Sequence, residues 1–240
     1  MIRSYKNPSW HSQMFRDLKD KLNRRVFGKF EMPWMKSKEL DVITEVVTRL
    51  QPETCFEWGS GFSTLMIPQM LPGLKTWYSL EHHKEWYEFI ARENKDPRVT
   101  VVLIEPDDKS YHTVTGKYNA KKEGLYDDFK TYIEYPISLK TRFDFIFIDG
   151  RARKECLKKA YDLVTDTGVV IVHDANRDDY FADLPPFAHT FRLTDYRHHR
   201  KQGGIWLGRK SLPVNELLDT AHHEKVWRQH DRVAKAMFLR

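Results

Sequence analysis

Cysteine is scarce in this chain, which contains only Cys55 and Cys156 among its 240 residues. Their spacing is not that of metal ligands, because structural metal sites draw on Cys and His residues that lie a few positions apart. We therefore expect two reduced, buried thiols and a cytoplasmic protein, since reducing compartments keep such thiols free.

Long apolar runs are also absent from the sequence. No stretch of about 18 apolar residues occurs, so no transmembrane segment is expected. The N-terminus lacks the apolar segment of a signal peptide, and Asp17 and Asp20 are unusual for an acid-poor transit peptide. A membrane-spanning protein is therefore not expected.

A long block of basic residues is the third feature that the chain lacks. It carries 40 Lys and Arg against 34 Asp and Glu, for a net charge of +6. Such a charge can serve nucleic-acid binding when the cations cluster on one segment or face. Here they are spread along the whole sequence, so nucleic acid is disfavoured as a partner.

What is present is the composition of a globular domain. Apolar residues make up 40% and charged residues 31% of the chain, which is too apolar for a disordered protein. The length suits one sizeable domain with additions at its ends. We predict a helical N-terminal extension over 1–50, a main domain over 51–210, and a C-terminal helix over 211–240 that packs on the main domain.

The N-terminal extension is predicted to contain two helices. Residues 12–27 carry apolar side chains at helical spacing with charged residues between them, which is the pattern of an amphipathic helix. We expect this helix to dock onto the domain rather than to lie on a membrane surface. The second helix is predicted to run from Ser37, as its N-cap with Glu39 in the first turn, to Leu50.

Strands and helices then alternate along the chain. Strands are predicted at 54–58, 75–80, 99–104, 144–148 and 169–173, and helices at 83–94, 154–164 and 214–238 and directly after the first strand. This succession implies a parallel sheet that is covered on both faces. Residues 188–195 and 203–209 are typical of an antiparallel hairpin. The predicted fold is a doubly wound, Rossmann-like α/β domain, whose mostly parallel seven-stranded sheet ends in that hairpin.

The most informative motif follows the first predicted strand. Gly59 and Gly61 come directly after Glu57 and Trp58 and lead into a helix. Glycines at such a point mark a sharp bend or a close approach of the backbone to a ligand. The next strand ends in Glu81, and a carboxylate there suits a ribose diol, because it can accept from both hydroxyls. A simple helix cap is the alternative role for Glu81.

These motifs together resemble the class I S-adenosylmethionine-dependent methyltransferases. The likeness covers residues 54 to about 209, and it is carried by Glu57-Trp58-Gly59-Ser60-Gly61-Phe62-Ser63-Thr64, Glu81, Asp149 and His173-Asp174. The segment from Phe143 to Asp174 looks most like O-methyltransferases that act on small molecules and sugars.

The resemblance implies a set of residues that bind S-adenosylmethionine. Glu57 would lie near the amino-acid end of the cofactor, Gly59 and Gly61 would let the backbone approach it, and Glu81 would bind the ribose hydroxyls. Asp107 or Asp108 would face the adenine. The expected cofactor-binding residues are Glu57, Gly59, Ser60, Gly61, Ser63, Thr64, Glu81 and His82.

Two departures from familiar patterns qualify this resemblance. Pro68 falls about seven residues into the helix after the glycine turn, where it removes a backbone hydrogen bond, so we expect a short first helix. The third glycine of the NAD-binding fingerprint is replaced by Thr64, which argues against NAD as the cofactor.

Asp149, His173 and Asp174 are the predicted catalytic residues. They end two strands that are neighbours in this fold, at the edge where open α/β sheets bind their ligands. His173 suits general-base chemistry near neutral pH. Asp149 and Asp174 could instead hold Mg²⁺ or Mn²⁺ to lower the pKa of the acceptor, as in metal-dependent members of the family. Those members usually carry a third oxygen ligand where this chain has Ala175.

Arg151, Arg153 and Tyr135 are the residues expected to contact the acceptor. The arginines could orient a hydroxyl or an anionic group, and pairing with nearby carboxylates is the alternative. Tyr135 is one of five tyrosines between 111 and 135, whose rings and hydroxyls suit a sugar or an aromatic acceptor or, alternatively, a packed cover. The pairs His198-His199 and His222-His223 are predicted to lie on the surface.

We therefore predict an enzyme that transfers a methyl group from S-adenosylmethionine to a hydroxyl of a sugar, a glycan or another small molecule. One alternative is a methyltransferase of RNA or of a protein side chain. Another is a non-catalytic nucleotide-binding module with the same fold. Whether the protein forms a homo-oligomer is left open by the sequence.

Overall fold

A seven-stranded sheet forms the centre of the protein in a computed structural model that describes residues 6–27, 33, 35–108, 111, 123–196 and 202–238. Its strands are β1 (Thr54–Trp58), β2 (Thr76–Glu81), β3 (Val99–Leu103), β4 (Phe143–Ile148), β5 (Val164–His173), β6 (His189–Leu193) and β7 (Ile205–Arg209). They lie in the order β3-β2-β1-β4-β5-β7-β6. Strands β1 to β5 pair in parallel, and β7 pairs antiparallel with both β5 and β6. The predicted doubly wound sheet with its C-terminal hairpin is confirmed.

The central strand β4 shows why the sheet is covered on both faces. Phe145 and Phe147 point into one apolar cluster, and Ile146 and Ile148 point into the other. All four side chains are fully buried. Because helices cover a central parallel strand from both sides, its sequence is a nearly continuous apolar run.

The start of β5 differs from the prediction. The strand begins at Val164 rather than at 169, and Val164 pairs with Phe143 ahead of a register shift in the β4–β5 ladder. The apolar pattern from Val169 onward predicted only the regular part of this strand. The irregular part depends on pairing with a strand that is distant in sequence.

Seven α-helices flank the sheet within the described residues. They are α1 (Trp10–Phe27), α2 (Ser37–Leu50), α3 (Phe62–Met66), α4 (Lys84–Glu93), α5 (Lys130–Ser138), α6 (Arg153–Leu163) and α7 (Thr220–Phe238). The short α3 ends just before Pro68, as the missing N–H of that proline predicts. Helix α5 was not predicted, because Pro136 lies inside it and its tyrosines suggested an irregular insertion.

Helix α1 docks onto the domain, but through polar side chains. Gln13 donates to Asp41 of α2 at 2.8 Å, and Arg16 forms an ion pair with the same carboxylate. Asp17 accepts from the backbone N–H of Ser37 at 2.7 Å. Four of its apolar side chains, Phe15, Leu18, Leu22 and Val26, remain exposed, so the amphipathic pattern does not show which face contacts the domain.

The surface prediction for one histidine pair is wrong in part. His223 is fully buried, and its Nε2 lies 2.7 Å from a carboxylate oxygen of Glu45 in α2. Its neighbour His222 is only half-buried. Adjacent residues on a helix point in different directions, so the pair could not share one environment. The pair His198-His199 lies outside the described residues.

No described helix is both long enough and apolar enough to cross a bilayer.

A substitution in the glycine turn tests how closely the ends of β1 and β4 pack. Gly59 has a φ of 100°, and a Cβ there would lie 2.5 Å from the backbone nitrogen of Gly150. We expect Gly59→Ala to lower the free energy of unfolding by about 2 to 4 kcal/mol, because it combines left-handed strain with overpacking against backbone. Chemical denaturation monitored by circular dichroism measures this change.

Gly73→Ala is the matched control, since a Cβ there meets no atom within 4 Å. It should change the free energy of unfolding by less than about 0.5 kcal/mol. Equal effects of the two substitutions would contradict the close approach of Gly59 and Gly150.

Candidate functional site

A cavity of about 620 Å³ opens at the carboxyl-terminal edge of the sheet. It brings together most of the residues that the sequence predicts for a site. Those that line it are Gly59, Ser60, Gly61, Ser63, Glu81, His82, Asp149, Arg151, Arg153, His173 and Asp174. Three predicted residues, Glu57, Thr64 and Tyr135, do not line it. The predicted ligand edge of the sheet is therefore the edge that carries the cavity.

The glycine turn forms one wall of the cavity. The backbone N–H groups of Gly59 and Ser60 both donate to the carbonyl oxygen of Leu80 at 2.9 Å, which fastens the turn to β2. At Gly61, a Cβ would meet only the Ser63 hydroxyl, at 3.7 Å. The missing side chain at this position therefore leaves open space in the cavity rather than relieving a clash within the protein.

Glu57 lies beneath the turn and does not reach the cavity. Its carboxylate is fully buried and accepts hydrogen bonds from Ser63, Thr64, Ser79 and the Trp77 indole. Burial raises the pKa of Glu57 to about 7, although these four donors act in the opposite direction. Ser63 and Thr64 point their hydroxyls at this carboxylate, so Glu57 holds the turn in shape from below.

Glu81 and Trp86 form the wall next to the turn. Oε1 of Glu81 accepts from the backbone N–H groups of His82 and His83 at 2.9 and 2.8 Å, while Oε2 lies 3.4 Å from the Ser60 hydroxyl. One carboxylate oxygen is thus fixed by strong bonds and the other makes only a long one. The Trp86 indole donates to the carbonyl oxygen of Ser60 at 2.8 Å, which holds its ring beside the cavity.

A buried arginine forms the opposite wall. Arg153 donates to the backbone carbonyls of Gly150, His173 and Asp149, at 3.0, 2.9 and 3.1 Å. It also pairs with the carboxylates of Asp149 and Asp174, at 3.2 and 3.0 Å. Three hydrogen bonds to carbonyls and ion pairs with Asp149, Asp174 and Glu123 thus surround the guanidinium, so the expected role of Arg153 in binding the acceptor is not supported by its geometry.

His173 lies between two carboxylates. Its Nδ1 is 2.8 Å from Asp149, and its Nε2 is 3.4 Å from Glu39 of α2. Burial disfavours the charged imidazolium, but Asp149 and Asp174 outweigh burial and hold the pKa of His173 well above its usual value. The side chain is therefore protonated at neutral pH, which does not suit the general-base role that the sequence suggests.

Glu39 is a site residue that sequence reasoning missed. Its carboxylate accepts from the backbone N–H groups of Lys36 and Gly204, at 2.7 and 2.9 Å, while it faces His173. The first contact makes Glu39 the acceptor at the start of α2, where Lys36 rather than Ser37 takes the N-cap position. The sequence does indicate a capping acid, but not that its other partner lies on β5.

The two aspartates do not fit a divalent cation in this arrangement. The Arg153 guanidinium already lies against both carboxylates, and Asp174 also accepts from the backbone N–H of Gly203 at 2.6 Å. Among the described residues, no group of three His, Cys, Asp or Glu side chains could hold a metal ion. The positive charge that a metal would supply is supplied here by Arg153 and His173.

Two of the predicted acceptor-binding residues lie in different environments. Arg151 lines the cavity, whereas Tyr135 lies half-buried on α5 and packs against the core. The hydroxyl of another tyrosine of α5, Tyr132, packs behind Gly150, 2.1 Å from where a Cβ on that glycine would be. That hydroxyl is buried and has no hydrogen-bond partner among the described residues. Asp107 binds Thr131 instead of lining the cavity.

Comparison with solved structures identifies the fold. The chain is 14% identical to a proposed caffeoyl-CoA O-methyltransferase from Staphylococcus aureus, covering 84% of this chain and 96% of that one, with a TM-score of 0.54. It is also 14% identical to the O-methyltransferase TomG from Streptomyces achromogenes, solved with S-adenosylmethionine, over 81% and 89% of the two chains, with a TM-score of 0.47. No protein-family model and no curated protein sequence matches the chain. The resemblance to class I S-adenosylmethionine-dependent methyltransferases is confirmed for the fold.

The charge on His173 gives a pH prediction. Because the folded-state pKa is raised, the protonated imidazolium stabilises the fold fully below about pH 6.5. This contribution is lost as the pH rises through the folded-state pKa. We therefore expect His173→Gln to be destabilising at pH 6, with the difference in unfolding free energy from the wild type shrinking as the pH rises. Urea unfolding at a series of pH values measures it, and a difference that grows with pH would contradict the assignment.

Glu39→Gln tests the contact from α2. The amide oxygen can still accept from Gly204, but the negative charge beside His173 is lost. We expect the pKa of His173 to fall, as measured by NMR titration of its imidazole. Glu45→Gln is the control, because that glutamate lies on the same helix and pairs with His223 instead. A His173 that titrates at its usual value in the wild type would rule out the pairing.

Proposed function

We propose that the protein transfers a methyl group from S-adenosylmethionine to a hydroxyl of a small molecule, with sugars and glycans as the preferred acceptor class. The observation that carries this proposal is one cavity with the glycine turn and Glu81 on one side and the Asp149–His173 pair on the other. The proposed cofactor site and a carboxylate that can accept a proton thus face the same cavity.

The residues on the first side fit the cofactor. The open space at Gly61 accommodates backbone contact with a ligand, and Oε2 of Glu81 can accept from a ribose hydroxyl. When bound, S-adenosylmethionine supplies an electrophilic methyl group. The protein then has to position the acceptor behind it.

Asp149 is the residue we assign to the acceptor hydroxyl. Its side chain lines the cavity and is 25% exposed, whereas His173 and Arg153 are nearly inaccessible behind it. A carboxylate oxygen there can accept a hydrogen bond from the hydroxyl, orient its lone pair and take up its proton as the O–CH3 bond forms and the S–CH3 bond breaks. His173, as an imidazolium, fixes the rotamer of Asp149 through the 2.8 Å contact and balances its charge.

The alternatives differ in what they require of the surface and of the site. An RNA methyltransferase needs a contiguous basic face around the cavity and binding that weakens with salt. A non-catalytic module would keep the cofactor pocket without a use for Asp149. Asp149→Asn that left the rate of methyl transfer unchanged would oppose our assignment.

Cofactor binding provides the first test of the proposal. Isothermal titration should give heat with S-adenosylmethionine and none with NAD, and Glu81→Ala should weaken binding by about 10- to 100-fold, because charge-assisted hydrogen bonds to a ligand are lost. Glu88→Ala is the control, since that acid is exposed on the neighbouring helix α4. Heat with NAD alone would overturn the proposal.

A methyl-transfer screen provides the second test. It compares glycosides, catechols and RNA as acceptors, with EDTA and with added magnesium or manganese. We expect the active acceptor to be methylated at the same rate under all three conditions, because Arg153 lies where a cation would bridge Asp149 and Asp174. Activity that EDTA abolishes and magnesium restores would refute this part of the proposal.

A further inference from the structure

An apolar stripe on α1 is exposed to solvent. Phe15, Leu18, Leu22 and Val26 lie three to four residues apart on one face, and their exposed fractions are 69%, 65%, 56% and 59%. Single exposed apolar residues are normal on a protein surface, but four on one stripe are not. We refer to these four residues as the α1 stripe.

The orientation of α1 is fixed by the contacts on its other side. Gln13 and Arg16 bind Asp41, and Asp17 binds the start of α2. The helix cannot turn its stripe onto the domain without breaking these polar contacts, and breaking them would remove two donors from the buried Asp41 carboxylate. The stripe therefore points outward in the folded protein.

The charges beside the stripe have one sign. Lys19, Lys21 and Arg25 are exposed on α1, whereas Asp17 and Asp20 are only partly exposed. Helix α7 lies alongside, with His222 near Pro8 and His230 near Asp17, so the two helices run in the same direction. Arg232 and Lys235 are exposed on the second half of α7. Among the described residues of α1, the exposed charged side chains are thus all cations.

We propose that the α1 stripe docks the protein onto the surface of an anionic lipid membrane. A helix that combines an apolar stripe with flanking Lys and Arg binds in the interfacial plane, because its side chains enter the acyl boundary while its cations meet the lipid headgroups. The sequence analysis favoured docking on the domain over a membrane surface. In the structure, the polar face of α1 docks onto the domain. The apolar face is therefore available to bind a membrane surface.

A second copy of the chain is the competing occupant, and two observations disfavour it. A two-fold contact through the stripe would bring Lys19, Lys21 and Arg25 of both copies together, and like charges repel across such a contact. Four side chains also offer only a few hundred Å² of apolar surface, whereas each partner in a stable interface contributes about 800 Å². Charge complementarity therefore selects the anionic lipid surface.

Vesicle co-sedimentation of the full chain tests the proposal. We expect binding to vesicles that contain phosphatidylserine, little binding to pure phosphatidylcholine, and a loss of binding as salt rises from about 0.1 to about 0.5 M. The double variant Leu18→Glu, Leu22→Glu and the double variant Lys19→Glu, Lys21→Glu should each bind the anionic vesicles at least about tenfold more weakly. Both change exposed positions, and thermal unfolding checks that the fold is kept.

Leu125→Glu is the matched control, because Leu125 is 75% exposed but lies far along the chain, before α5. It should bind as the wild type does. A wild type that ignores anionic vesicles would overturn the proposal. So would a dimer in sedimentation velocity that Leu18→Glu, Leu22→Glu converts to a monomer, since the stripe would then belong to a second copy.

Discussion

The burial of the Arg153 guanidinium between the ends of β4 and β5 is the interaction on which the site depends. Removing a guanidinium from water costs several kcal/mol unless every donor finds an acceptor. Three backbone carbonyls and two carboxylates around Arg153 offset this desolvation. These acceptors belong to residues that must stay together, so the arginine fixes the positions of Asp149, Asp174 and the backbone at His173.

The charges in this wall partly offset each other, with two cations among three anions. Arg153 and His173 are cations, and Asp149, Asp174 and Glu39 are anions packed around them. On the other side of the cavity, the buried carboxyl of Glu57 is stabilised differently. Its hydrogen-bond partners among the described residues are neutral hydroxyl and indole donors rather than cations. Fixed charges thus lie along one side of the cavity, whereas the pKa of the Glu57 carboxyl beneath the other side is raised to about 7 by burial.

The sequence predicted the features that arise from local pattern. The glycine turn, the apolar runs of the strands and the proline that ends α3 each act within a few residues, and all were confirmed. The contact between Glu39 and His173 spans 134 residues and has no local signature. The same holds for Arg153, whose acceptors are mostly carbonyls that any residue could supply. The orientation of α1 was missed because an apolar stripe does not reveal which face a domain will cover.

The contacts of α1 have a consequence for partial unfolding. A helix held by ion pairs and hydrogen bonds, with its apolar side chains outside, gains little from the hydrophobic effect and is loosened by salt or acid before the sheet. Asp17 accepts from the N–H of Ser37, two residues before Glu39. Release of α1 would therefore free the first turn of α2, and with it the Glu39 carboxylate that faces His173, so loosening at the surface would reach the site before the sheet unfolds.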